Sequence, residues 1–195
     1  MLANAARVST TRVMLETLRS DLARYLSIPG TPAHPLKRLR QLAETQGVWA
    51  IAVFRFGQWA QRGAPKPLRP LAKAGYLAAF KLTEITTGIC LPAQVRIGKG
   101  LYIGHFGGIF IHPDVTMGDN CSISQGGTIG ERGGKSGSPQ LGDGVYVGAG
   151  AKILGNVRIG DGAQIGANAV VVHDVPAGAT AVGVPARVVK RQARP

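Results

Sequence analysis

Residues 141–176 read LGDGVY, VGAGAK, ILGNVR, IGDGAQ, IGANAV and VVHDVP, six residues at a time. The first place of every unit is Leu, Ile or Val. The fifth is small or β-branched: Val145, Ala151, Val157, Ala163, Ala169, Val175. Between them stand Gly, Asn and Asp, which suit tight turns and positive φ. A short strand and a turn, repeated, build a triangular prism with three units per coil. The first residue points inward, and the fifth has to fit inside the same narrow core. Each coil contacts only its neighbours, so the core is a continuous aliphatic stack.

The same cut runs backwards to Ile85. ITTGIC, LPAQVR, IGKGLY and IGHFGG are followed by two extra residues, Ile109 and Phe110. Then come IHPDVT, MGDNCS, ISQGGT, IGERGG and the excursion KSGSPQ. Two irregularities stand out: the slip just after His105, and the Gly-rich stretch Glu131–Gln140. Regular coils are scaffold, and departures from them are where function gathers. The last residues, VGVPARVVKRQARP, are expected to fold back over the open end.

Before residue 85 the pattern is helical. Val13, Leu15, Leu18, Leu22 and Leu26 recur near helical spacing over 10–26. IPGTPAHP breaks the chain, residues 36–62 read as one or two helices, GAPKP breaks it again, and 68–82 read as another helix. The expected class is therefore α+β, an N-terminal α-helical cap (1–84) followed by a parallel β-helix of hexapeptide repeats (85–182) and a C-terminal tail (183–195).

The 195 residues carry a net charge of +13, with charged residues only 17% of the chain. Residues 1–84 hold 13 Lys and Arg against Glu16, Asp21, Glu44 and Glu84. A basic cap suits an anionic partner. Its cations are dispersed and no nucleic-acid reading motif is present, so nucleic acid is not expected. Contact with a membrane surface fits. The apolar stretch Leu71–Phe80 is too short to span a bilayer, which takes about 20 residues. Cys90 and Cys121 lack metal-site spacing and read as reduced packing residues of a cytoplasmic protein, without a metal.

The runs GHFGG, ISQGGTIG, GGKSGSP, VYVGAGAKILGNVRIGDGAQIGANAVV and AVGVPARVV resemble the serine acetyltransferase-like branch of the hexapeptide-repeat acyltransferases. FRFGQWAQRG resembles the helices that precede the prism there. The resemblance implies a left-handed β-helix, a homotrimer, and acetyl-CoA as co-substrate in a groove between prisms. It also implies His105 as the general base that takes a proton from an acceptor hydroxyl, a role suited to an imidazole. His112 and Asp114 are expected at the acceptor, with Asp114 also a candidate to orient His105. His34 and His173 read as structural and solvated. The resemblance puts Gly126, Gly127 and Thr128 at the thioester end of the groove, with backbone N–H groups for the oxyanion. Lys135 sits in a loop over the acyl-CoA or acceptor, one that lacks phosphate-loop spacing. Ala151, Lys152, Ala169, Arg187 and Lys190 line up with the strip beside CoA, where cations suit its phosphates.

Three departures bear on the acceptor. The serine enzymes carry an Asp before the catalytic His, where this chain has Gly104. They carry another on an Ile-His-Pro segment, where residues 88–92 read GICLP. They carry an Arg-His pair after the Gly-rich loop, where Gly137 and Ser138 stand. ICLPAQVRIG and the short cap resemble the exopolysaccharide and colanic-acid O-acetyltransferases. The expected acceptor is therefore a saccharide hydroxyl. The alternatives are serine, in cysteine biosynthesis, and a prism without catalysis.

Overall fold

The first residue of each hexapeptide points into the prism, as its aliphatic character requires. Ile103, Ile111, Ile123, Ile129, Val147, Ile153, Ile159, Ile165 and Val171 stack along the axis, all buried. The fifth places alternate with them: Val95, Val115, Cys121, Val145, Ala151, Val157, Ala163, Ala169. Burying such a side chain contributes roughly 1.5–3 kcal/mol, and the stack runs through every coil. The computed structural model describes residues 2–133 and 137–189, the first nine of them by backbone alone.

Three parallel sheets form the faces. The first holds β1 (Ile89–Cys90), β4 (Ile109–Ile111), β7 (Thr128–Gly130), β10 (Lys152–Leu154) and β13 (Val170–Val171). The second holds β2 (Arg96–Ile97), β5 (Thr116–Met117), β8 (Gln140–Leu141) and β11 (Arg158–Ile159). The third holds β3 (Tyr102–Ile103), β6 (Ser122–Ile123), β9 (Tyr146–Val147), β12 (Gln164–Ile165) and β14 (Thr180–Val182). β15 (Arg187–Val189) turns back antiparallel on β14 and gives the tail its place on the third sheet. The prism is a left-handed parallel β-helix behind a helical cap.

Register locates both irregularities. Tyr102 pairs with Ser122, whereas Phe110 pairs with Thr128. The turn holding His105 is thus two residues longer than the turn above it. Thr128 pairs with Lys152 and Gln140 with Arg158. The six extra residues between those pairs lie in 131–139, where the chain passes from the first face to the second.

Four helices form the cap: α1 (Leu2–Leu26), α2 (Pro35–Glu44), α3 (Gln46–Arg62) and α4 (Arg69–Thr87). His34 is structural, as expected: its Nδ1 accepts from the Leu36 N–H, 3.3 Å away, and caps α2. α4 runs beyond the expected boundary at 84. The unit ITTGIC is therefore not a coil: Ile85, Thr86 and Thr87 are helical, and Gly88, at φ 65, ends the helix. Helical spacing puts Thr83 and Thr87 on one buried face of α4, so the helix continues until a residue tolerating positive φ stops it.

One turn of α1 ties the cap to the first coil. Asp21 is 0% exposed and Arg55, on α3, 2%. Arg55 Nε donates to Asp21 Oδ2 at 2.8 Å and its Nη1 to the Ile97 carbonyl at 3.0 Å. Asp21 Oδ1 accepts from the Leu101 N–H at 2.8 Å. The Tyr25 hydroxyl donates to the Ile103 carbonyl and accepts from the Ile103 N–H, both at 3.0 Å. Arg24 Nη1 donates to the carbonyls of Gly100, Asn120 and Cys121. These bonds satisfy backbone groups at the end of the prism that would otherwise be left bare.

Asp21→Ala leaves the Arg55 guanidinium buried without its carboxylate, so urea unfolding should register a loss of about 3–5 kcal/mol. Burial also raises the Tyr25 and Tyr76 hydroxyls and the Cys121 thiol above their ordinary pKa values. The neutral forms fit the fold, so their contribution is complete below the unfolded values, about 8.5 for Cys and 10 for Tyr, and is lost as pH rises past them. The melting temperature should fall steeply from about pH 9 upward, and the fall should be shallower in Tyr25→Phe.

Candidate active site at the third-to-first corner

The three corners of the prism carry different chemistry. Between the second and third faces runs an aspartate ladder. Asp119 Oδ1 accepts from the Lys99 N–H at 2.9 Å, Asp143 Oδ1 from the Asp119 N–H at 2.7 Å, and Asp161 Oδ1 from the Asp143 N–H at 2.8 Å. Side chains there are committed to holding coils together. Between the first and second faces lie His112 and the long excursion. Between the third and first faces one turn position lacks a side chain over three coils. Gly108, Gly126 and Gly150 stack there at φ 65, 71 and 71, with Asn168 above them at φ 57. A Cβ built on Gly108 would lie 3.4 Å from the Gly126 Cα, and one on Gly126 3.3 Å from the Gly150 Cα. This stack leaves a strip where a ligand can approach the backbone.

His105 stands at the foot of that strip, in the lengthened turn. It is exposed, and its ring has no hydrogen-bond partner among the described residues. Phe106 beside it and Phe110 on β4 are half-exposed. The ring of Tyr102 explains Gly104: a Cβ there would lie 3.2 Å from Tyr102 Cε1. That ring is held by Tyr25 (centroids 4.7 Å apart) and lies under the Arg24 guanidinium (5.5 Å). A side chain at 104 would need this ring to give by a few tenths of an ångström.

His112 does not join His105. β4 separates them, and they occupy opposite edges of the first face, so His105 and the expected acceptor residue His112 do not meet within one chain. The two-residue slip lengthens the turn at His105 and does not bring His112 around it. Asp114 stays with His112, its Oδ2 3.9 Å from His112 Nδ1, so within one chain it does not orient His105. His112 Nδ1 also lies 3.3 Å from Ser138 Oγ, and Nε2 lies 4.0 Å from Glu131 Oε1. His112, Asp114 and Glu131 bring one donor atom each within 4.8 Å of one another. The two carboxylates face different ring nitrogens, which brackets an imidazole and does not make one side of a metal site. A cleft of about 520 Å³ lies across the second face beside Arg62, Arg96 and Lys99, away from His105.

The groove residues divide as well. The N–H groups of Gly126 and Thr128 are already bonded, to the carbonyls of Gly107 (2.8 Å) and Ala151 (2.9 Å). Gly127 is buried. Backbone donors for an oxyanion are thus largely used in joining coils. Lys152 reaches this edge of the first face, its Nζ 2.6 Å from the Gly126 carbonyl and 3.0 Å from Thr128 Oγ1. Ala151 and Ala169 are fully buried, so their methyls line the core and not the strip; being fifth residues of their units, they had to point inward. Arg187 is exposed on β15, beyond the last coil. Lys135 and Lys190 lie outside the described residues. Gly108 and Gly150, which stack with Gly126, were not among the expected groove residues; their signal is a Gly recurring at the same turn of successive coils.

The family described as "Bacterial transferase hexapeptide (six repeats)" matches residues 138–173. A serine acetyltransferase of Synechococcus elongatus is 45% identical over 112 residues, which cover 56% of this chain and 46% of that protein. The serine acetyltransferase of Brucella abortus solved in complex with coenzyme A superposes at TM-score 0.74 and 30% identity, over 93% of this chain and 72% of that one. That of Neisseria gonorrhoeae in complex with serine superposes at 0.75 and 29%, over 94% and 72%. The chain spans about half the length of the curated relatives it matches. The chain belongs to the hexapeptide-repeat acyltransferases, on their serine acetyltransferase-like branch.

Cys90 also faces outward on the first face, and its chemistry is separable from that of His105. Burial, and then the neighbouring Glu84 carboxylate, push its thiol up to about 11. Only about one thiol in a thousand is then ionised at pH 8. Iodoacetamide should label the folded protein slowly at pH 8 and faster toward pH 11.

Proposed function

We propose that the chain is an acetyl-CoA-dependent O-acetyltransferase with His105 as its general base. The observation that carries this reading is a solvent-facing imidazole at the foot of a column of stacked glycines. The imidazole takes the proton of the acceptor hydroxyl as its oxygen attacks the thioester carbonyl. The tetrahedral intermediate collapses, the C–S bond breaks, and the departing sulfur takes the proton from the imidazolium. The strip gives the pantetheine arm room along the backbone. Lys152 suits the developing oxyanion, and Arg187 the phosphates of the nucleotide end. Lys190 and Lys135 belong to the same expectation.

Serine is the acceptor best supported by the relatives, whose names and complexes point to it. A saccharide is the second reading, and one observation favours it. Half-exposed Phe106 and Phe110 flank the turn of His105, and among the described residues no carboxylate pairs with its ring. A zwitterion needs charged partners, whereas the C–H face of a sugar ring packs on an aromatic one. The second reading also carries the expected position at the inner face of a membrane, where sugar acceptors ride on lipids. In either case the enzyme works as a homotrimer, with the groove closed by a neighbouring prism. His112, Asp114 and Glu131 then face the acceptor from the neighbour.

Thiol release from acetyl-CoA, with L-serine and a panel of sugars as separate acceptors, tests the reading. His105→Ala should lower turnover about 100-fold or more while acetyl-CoA still binds. Unchanged turnover would remove His105 from the role of base, and release that depends on a sugar alone would make the saccharide the acceptor.

A further inference from the structure

α4 has one face with a partner and one without. Tyr76, Thr83 and Thr87 are buried against α3 and the first coil, with Ala72 and Phe80 partly covered beside them. On the opposite face stand Leu71, Ala74, Ala78, Leu82 and Ile85, all exposed; Leu71 and Ile85 are each 74% accessible and Leu82 64%. Their spacing of three and four keeps them in a single stripe along the helix. No charged residue interrupts it. Leu77 extends it on one side and Leu68 at its start.

Cations accompany the stripe. Lys66, Lys73 and Lys81 are exposed and Arg69 half-exposed, while the one acid on the helix, Glu84, is paired with Lys81. The region up to residue 84 has nine more basic than acidic residues. An aliphatic stripe flanked by Lys and Arg is complementary to a bilayer with anionic headgroups, into which such a face sinks about 5–10 Å. A second copy of the chain fits less well, because it would bring the same positive charge. The stripe is also about 21 Å long, roughly 200 Å² at a helix's width, against about 800 Å² per partner in a stable protein interface.

We propose that the outer face of α4 docks on the surface of an anionic phospholipid bilayer. The docked helix ends at the active site. A Cβ on its cap, Gly88, would lie 3.1 Å from the Gly108 nitrogen and 3.3 Å from the Gly107 Cα, in the turn that carries His105. Docking α4 therefore sets the mouth of the His105 site beside the bilayer, where a lipid-borne hydroxyl would be presented. Docking itself requires no particular acceptor, so it stands or falls apart from the assignment of the reaction.

The test is co-sedimentation of the full chain with vesicles of phosphatidylglycerol mixed into phosphatidylcholine, against phosphatidylcholine alone. Binding to the mixed vesicles is expected at about 0.1 M salt and should weaken at about 1 M, where the screening length falls from about 10 to about 3 Å. The double substitution Leu82→Glu with Ile85→Glu, on exposed positions that the fold does not use, should lower partitioning about tenfold or more. Leu36→Glu with Leu39→Glu, on the exposed leucines of α2, should leave it unchanged. Three results would overturn the proposal: no binding to the anionic vesicles, equal binding by the α4 variant, or loss with the α2 variant instead. A fourth is a fall in sedimentation mass in the α4 variant without lipid, which would assign the stripe to a second copy.

Discussion

The buried pair between Asp21 and Arg55 fixes where the prism begins. A β-helix has no intrinsic end, and its first coil presents unpaired N–H and C=O groups that another chain could extend. Asp21 takes the Leu101 N–H and Arg55 the Ile97 carbonyl, while Tyr25 takes both groups of Ile103. The cap is thus a plug held by charge and hydrogen bonds as much as by its apolar face. Because Tyr25 and Arg24 also hold the Tyr102 ring, the same plug decides what can stand at position 104. A side chain there needs the ring to give by a few tenths of an ångström.

That constraint shapes the candidate site. Relatives on this branch provide the family resemblance, but the surroundings of His105 here are built from aromatic rings and glycine. The strip leading from His105 exists because Gly108, Gly126 and Gly150 recur at one turn position of three successive coils. Asp119, Asp143 and Asp161 lace one corner, and His112 with the 131–139 excursion fills another.

The cap connects these features. α4 touches the His105 turn at Gly88, α1 holds Tyr102, and the outer face of α4 remains aliphatic. A perturbation of the cap should therefore reach His105 through Gly107 and Tyr102, without any change in the coils above.

The hexapeptide pattern by itself determined the prism, its aliphatic core and the two places where the repeat departs from its period. Those follow from local rules: a first residue that must face inward, a fifth that must be small, and turns that need positive φ. The same rules implied that Ala151 and Ala169 lie inside, although the resemblance drew them to the groove. Other features were decided only by the tertiary structure. Which edge of a face a residue occupies depends on how many residues each turn consumes, and this separated His112 and Asp114 from His105. The end of α4 depended on Gly88 and on burial of Thr83 and Thr87 beneath it. The empty place at Gly104 depended on a tyrosine held by a helix some 80 residues earlier in the chain. Sequence spacing records periods along one strand of chain, whereas these outcomes arise from contacts between segments far apart in it.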